Sequence, residues 1–216
     1  MISSSNLIIG THIPFCKSLN KTVLCAISSG MYSFQFFLGS PQSFVRTTLK
    51  DDDIQASLPL LERFPMHIFT HAPYVYNFGR EKGDKSNTDA VKSLERELEQ
   101  VAKFGGKGVV LHPGSNSDKK EGILEIAKNI SSINFSPGAK LILENMAGQG
   151  NMIGSHLEEL KEIRDNVSPE VKKSIGFCID TAHIWGMGLY DLSKTEEIDK
   201  MFSDIERILG IENVSL

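Results

Sequence analysis

A parallel β/α barrel is the fold this sequence predicts, and three observations predict it. Strand-sized apolar runs alternate with amphipathic helical segments, most of the runs are continuously apolar, and four of them end on a residue of a metal-ligand type. Strands covered on both faces read as unbroken apolar runs, and regular βα alternation with functional residues on one rim favours a barrel over an open doubly wound sheet. The runs fall at residues 7–13, 34–38, 67–70, 108–111, 140–143 and 175–179. Between them, Ile123, Ile126, Ala127, Ile130 and Ile133 keep one helical face, as do Ile198, Met201, Phe202, Ile205, Ile208 and Leu209. Gly105 after Phe104 reads as the end of the third helix, and Ser155-His156-Leu157-Glu158 as a capping box opening the fifth. A seventh strand begins at residues 213–216. A full barrel has eight strands in about 250 residues. The expectation is therefore one domain over residues 1–216, a TIM (β/α)8-type barrel truncated after about six βα units and the start of strand seven. Its open strand edges would need covering by a partner or by self-association.

The chain has 216 residues, is 40% apolar and 23% charged, and carries a net charge of −4, an ordinary globular balance that argues against generic DNA coating. No apolar run is long enough for a membrane span, and no signal-peptide pattern opens the sequence. Cys16, Cys25 and Cys178 form neither a CxxC pair nor an even framework, which suits a reducing, intracellular setting: the cytoplasm or, in a eukaryotic cell, the nucleus.

The strand ends carry the chemistry. Ile68-Phe69-Thr70 ends on His71, Val109-Val110-Leu111 on His112, Leu141-Ile142-Leu143 on Glu144 and Phe177-Cys178-Ile179 on Asp180. Each follows the last by about one strand-helix unit, so in a barrel all four converge on one rim. A histidine after a strand is by itself more often structural. Packing alone, however, gives no reason to place His, His, Glu and Asp at the ends of successive buried strands. His183, one short step beyond Asp180, is a further candidate ligand, for a different ion. Nitrogen and carboxylate donors together suit zinc better than calcium or magnesium. His12 closes the first strand as a neighbour of the ligands, whereas His67 opens its strand at the opposite rim and His156 sits in the first turn of a helix. The glycine-rich stretch 148–154 has the wrong spacing for a dinucleotide fingerprint and reads as a flexible loop over the site. Tyr74, Val75 and Phe44 lie in loops above the rim, either half-buried at a loop base or available to enter a base stack.

Together, His71-Ala72-Pro73-Tyr74, Leu111-His112-Pro113-Gly114, Leu143-Glu144-Asn145 and Cys178-Ile179-Asp180-Thr181-Ala182-His183 closely resemble the endonuclease IV family of apurinic/apyrimidinic endonucleases. The likeness extends to Gly10-Thr11-His12, to Phe37-Leu38-Gly39-Ser40-Pro41 and to Gly188-Leu189-Tyr190-Asp191-Leu192. It implies a xylose-isomerase-like barrel holding up to three zinc ions that cleaves double-stranded DNA 5′ to an abasic site, in base excision repair. By that match His71 and His112 hold the first zinc, the catalytic Glu144 bridges the first and second, Asp180 holds the second and His183 the third. Tyr74 and Val75 match DNA-entering positions, and Gln42 stands where the family's wedge arginine would be. Ligands that the family carries on its seventh and eighth strands have no counterpart here, so fewer than three ions are expected. Lys17, Lys21, Arg80, Lys82, Lys85, Lys119 and Lys120 are candidate phosphate contacts. Two other readings remain open: a metal-dependent sugar isomerase or epimerase on the same barrel, and a non-catalytic homologue that needs a partner.

Overall fold

The computed structural model describes residues 8–81 and 83–216. Its strands are β1 (Gly10–His12), β2 (Ser33–Phe36), β3 (His67–His71), β4 (Gly108–Leu111), β5 (Gly114–Ser115), β6 (Lys140–Glu144), β7 (Met152–Ile153) and β8 (Ile175–Cys178). Six of them form one sheet in the order β1-β2-β3-β4-β6-β8, every pair parallel, while β5 and β7 pair antiparallel beside it. The helices are α1 (Leu19–Ser28), α2 (Asp51–Arg63), α3 (Lys85–Lys103), α4 (Lys119–Ser131), α5 (Leu157–Asn166), α6 (Pro169–Lys172), α7 (Thr181–Met187) and α8 (Thr195–Leu209). Spatial order thus follows chain order, as barrel winding requires. The expected first strand starts partly outside the described residues, and its paired part is Gly10–His12. At the other end Val214 bridges Phe177, the Ser215 amide donates to the Phe177 carbonyl at 2.8 Å, and the Ile179 amide donates to the Leu216 carbonyl at 2.9 Å. Residues 214–216 therefore lie alongside β8 as a seventh parallel strand begins.

The strands are continuously apolar because both faces are covered. Phe34, Phe36, Ile68, Val109, Leu111, Leu141, Leu143 and Phe177 are buried in the main core shared with the helices, whereas Phe69, Val110, Ile142 and Cys178 form a second buried cluster. Strand side chains alternate between faces, so these neighbours in sequence fill different compartments. On α4 the expected face is buried throughout, from Ile123 to Ile130, with Ile133 just beyond the helix also buried. On α8 the expectation fails at one position: Phe202 is 55% exposed, while Met201, Ile205, Ile208 and Leu209 are buried. Phe202 sits at the edge of the buried stripe, about 20° from the buried Leu209 on the helical wheel, so helical spacing by itself does not decide its burial.

Helix ends show where local signals held. After α3, Gly105 adopts φ 76°, and the Gly106 amide donates to the Val101 carbonyl at 2.9 Å, closing the helix as expected. The fifth helix is capped one residue later than the sequence pattern indicated. Its N-cap is His156, and Glu159 rather than Glu158 reaches back, accepting from the amides of Gly154 at 2.7 Å and Ser155 at 3.0 Å. A tertiary cap serves α1: Asp53 of α2 accepts from the Ser18 hydroxyl at 2.6 Å, the Leu19 amide at 2.6 Å and the Asn20 amide at 3.2 Å. Burial works against the charged form, but these hydrogen bonds outweigh it and hold the Asp53 carboxyl below its ordinary pKa. Asp53→Ala is expected to cost about 1–2 kcal/mol, as loss of a helix cap does. Urea midpoints at neutral pH would check this. Because the folded-state pKa is depressed, the Asp53 contribution is complete above the ordinary carboxylate range and disappears as pH falls through the lowered value.

Candidate metal centre

The last residues of β3 and β6, the residue that follows β4 and the turn after β8 bring the five expected residues together. Glu144, the last residue of β6, is buried at the centre of the group. Its Oε2 lies 3.1 Å from His71 Nε2 and 3.5 Å from His112 Nε2, and its Oε1 lies 3.5 Å from His183 Nδ1. Asp180 Oδ2 is 3.6 Å from the same His183 nitrogen. Two sets of potential ligand atoms result, His71-His112-Glu144 and Glu144-Asp180-His183, each with its atoms within 4.8 Å of one another. Burial raises the pKa of Glu144, yet hydrogen bonds and charge from His112 and His71 overcome this and leave its carboxyl well below the usual range.

Backbone partners assign the ring nitrogens. His71 Nδ1 lies 2.7 Å from the Ala72 carbonyl, and His183 Nδ1 lies 2.7 Å from the Asn145 carbonyl. A carbonyl only accepts, so each Nδ1 carries hydrogen and each Nε2 of a neutral ring presents a lone pair. His71 Nε2 then faces a carboxylate oxygen at 3.1 Å, acceptor against acceptor. Either a second proton on the ring or a cation between the two must relieve that contact. Histidine fixed through Nδ1 to a carbonyl is the usual arrangement of a metal ligand, and the mixed nitrogen and oxygen donor set fits zinc. In His183 the same bond occupies Nδ1, leaving Nε2 as the free ligand atom, while the residue as a whole groups with Glu144 and Asp180. Asp180 has a structural duty as well: its Oδ1 accepts from the amides of Ala182 at 2.7 Å and His183 at 3.1 Å, capping α7 and leaving Oδ2 open.

Several residues near the cluster escaped the sequence reading. Asn145, fully buried, accepts from the Asp180 amide at 2.6 Å and donates to the Asp180 carbonyl at 3.1 Å, so it ties the end of β6 to the turn after β8. Arg46 and Glu97 form a buried ion pair beside β3. The only available signal was two charged residues in otherwise ordinary polar segments. His12 hydrogen-bonds Gln35 at 3.1 Å and packs on Phe37, whose ring in turn lies 5.0 Å from that of His71; it is a neighbour of the cluster at one remove. His67 and His156 are exposed and away from the cluster.

Tyr74 lies over the candidate ligands. Its ring stacks on His112 at 5.0 Å and 25° and meets His71 edge-on at 5.2 Å, yet 46% of the residue is exposed. Val75 is half-buried against the core. Gln42 is exposed in the loop after β2, next to Pro41, whose carbonyl accepts from the Tyr74 amide at 2.8 Å. Tyr74 and Val75 therefore border one mouth, and the loop carrying Gln42 is tied to them through that backbone bond. A cavity of about 590 Å³ lies there, lined by Tyr74, His112, Glu144, Met152, Asp180 and His183. The glycine-rich stretch does overlie the site, but part of it is ordered as β7, paired with β5. Among the candidate phosphate contacts, Lys119 is engaged by Glu159 at 2.6 Å and Arg80 faces Asp84 at 3.9 Å; Lys82 lies outside the described residues.

The fold and site define a xylose isomerase-like TIM barrel with metal-ligand side chains gathered at its strand ends, and the family of that description matches residues 25–212. A probable endonuclease 4 of Aster yellows witches'-broom phytoplasma (strain AYWB) is 32% identical over 220 residues, spanning 97% of this chain and 73% of that protein. The crystal structure of endonuclease IV from Thermus thermophilus superposes with a TM-score of 0.78 at 25% identity, covering 95% of this chain and 73% of the other. The chain belongs to the endonuclease IV family. Likeness to a 3-keto-D-glucoside 4-epimerase from E. coli, with a TM-score of 0.59 at 16% identity over 83% of this chain and 70% of that one, is one of fold alone.

Proposed function

We propose that this chain is a zinc-dependent apurinic/apyrimidinic endonuclease, a hydrolase of base excision repair that cuts the phosphodiester 5′ to an abasic site in double-stranded DNA. The observation that carries the reading is the Glu144-centred cluster, in which His71 Nε2 faces a carboxylate that only a proton or a cation can reconcile with it. In this reading residues 1–216 act as one barrel domain, and the protein works where DNA is, in the cytoplasm or nucleus. No described helix is long and apolar enough to cross a membrane.

His71, His112 and Glu144 would hold one zinc, Glu144 and Asp180 would share a second, and His183 would offer Nε2 to a third. Bound zinc would supply Lewis acidity toward phosphate oxygens and a nucleophile at neutral pH. The protein's own groups do the rest. Glu144 keeps a negative charge at the centre because its neighbouring histidines stabilise the ionised form, and Asn145 holds Asp180 in register with it. Tyr74 closes the histidine side of the cavity and offers an exposed ring face to a base or sugar, Val75 borders its approach, and Gln42 would reach the DNA from the neighbouring loop. A nucleotide lacking its base leaves the stack at low cost, which favours damaged over intact sites.

The reading is tested by incubating the chain and zinc with an abasic duplex, an intact duplex and a panel of ketoses and aldoses. Cleavage confined to the abasic strand supports it; sugar turnover without cleavage would replace it with the isomerase reading. His112→Ala is expected to lower the zinc content and abolish cleavage, whereas His67→Ala, at the far rim, should leave both unchanged. Equal loss from the two variants would contradict the assignment of the ligand rim.

A further inference from the structure

Arg46 has no part in the zinc reading above, yet it is wired directly to a candidate ligand. It leaves the loop between β2 and α2 and is buried, with 7% of its side chain exposed against 1% for Glu97 of α3. Its Nε donates to Glu97 Oε2 at 3.1 Å and its Nη2 to Oε1 at 3.4 Å. That two-point grip needs a planar guanidinium, which an ammonium group cannot imitate. The same Nη2 donates to the His71 carbonyl at 3.3 Å, and Nη1 donates to the Ser40 carbonyl at 3.3 Å. One side chain therefore joins α3, the last residue of β3 and the loop that carries Gln42.

A buried ion pair gives little net stability compared with well-packed apolar groups of the same size, so stability alone is a weak reason for one here. Its geometry supplies another. The His71 carbonyl points to Arg46, while the His71 ring is fixed through Nδ1 to the next carbonyl, that of Ala72. The Ala72 amide is held in turn by the Val110 carbonyl at 2.8 Å. The backbone on both sides of the imidazole is thus anchored, and the loop side of that anchoring comes from Arg46.

We propose that Arg46, braced by Glu97, is a positioning residue that aims the His71 imidazole at Glu144 and fastens the loop bearing Gln42 to the same ligand. The inference rests on the zinc reading of the cluster. Its test compares zinc affinity, by competition with a chromogenic chelator, and melting temperature in wild type, Arg46→Lys, the double variant Arg46→Met/Glu97→Gln, and Asp53→Ala. The double variant leaves no unpaired buried charge, so its melting temperature should stay near that of wild type while zinc affinity falls about tenfold, as it does when a group supporting a ligand is removed. Arg46→Lys keeps a charge beside Glu97 but loses the fork, and should also bind zinc more weakly. Asp53→Ala, destabilised far from the cluster, should bind zinc as wild type does.

Wild-type affinity in the double variant overturns the proposal; if that variant does not fold, wild-type affinity in Arg46→Lys does so. Affinity that merely follows melting temperature across all variants, Asp53→Ala included, overturns it too. A wild-type chain that takes up no zinc would instead refute the metal reading, and this role with it.

Discussion

Glu144→Gln is expected to empty both ligand sets at once and to reduce abasic-site cleavage roughly a thousandfold or more. The magnitude follows because metal ions contribute several kcal/mol of transition-state stabilisation and each step of about 1.4 kcal/mol is a factor of ten. Glutamine keeps the shape of the side chain but not the charge that His71, His112 and His183 surround. Zinc content by mass spectrometry should fall while circular dichroism stays native. The same variant should alter acid stability in the zinc-free protein. Although burial opposes it, the bonds from His112 and His71 depress the folded-state pKa of Glu144. Its contribution is therefore complete above the ordinary glutamate range and is lost as pH falls below it. Glu144→Gln should remove that part of the acid-side loss. Urea midpoints measured against pH in a chelator would show it, and an unchanged pH profile would contradict the coupling.

Tyr74→Ala should chiefly cost discrimination. The ring stacks on His112 with one face and remains nearly half exposed. Aromatic stacking on a base is worth about 1–3 kcal/mol, so preference for abasic over intact duplex is expected to fall roughly 5- to 150-fold. Total binding should change less, because phosphate contacts from lysine and arginine supply much of the affinity regardless of sequence. Anisotropy titrations on both duplexes at two salt concentrations separate the two effects. Lys120 is the cleaner choice for the phosphate arm, since Lys119 is already engaged by Glu159. An abasic preference untouched by Tyr74→Ala would remove Tyr74 from damage reading.

The barrel was legible because its strands are buried on both faces. Continuous apolar runs such as Val109-Val110-Leu111 are short, end on turn residues and alternate with helical periodicity, so neither their class nor their order needed tertiary information. The same property exposed the candidate ligands, since a histidine or carboxylate ending such a run has no packing role to explain it. Errors arose where a local pattern had two nearly equal solutions. The cap of α5 moved from Ser155 to His156 because Glu159, one residue beyond the expected partner, is placed to receive two amides and the Lys119 ammonium together. Phe202 kept helical spacing yet faces out while Leu209, about 20° away on the wheel, is buried, because periodicity gives a direction around the helix but not what packs against each turn.

Sequence by itself determined the fold class and the family and marked out five candidate side chains that the fold brings together, all of which depend on residue type and spacing along the chain. Only the tertiary structure decided which nitrogen of His71 and His183 is free, how Asn145 clamps Asp180, and that Arg46 and Glu97, fifty-one positions apart, join at the back of His71. The reason is physical. A strand-end ligand is marked by its conflict with the apolar run before it, whereas a hydrogen bond between distant segments leaves no periodic trace and exists only once the fold has brought donor and acceptor within about 3 Å.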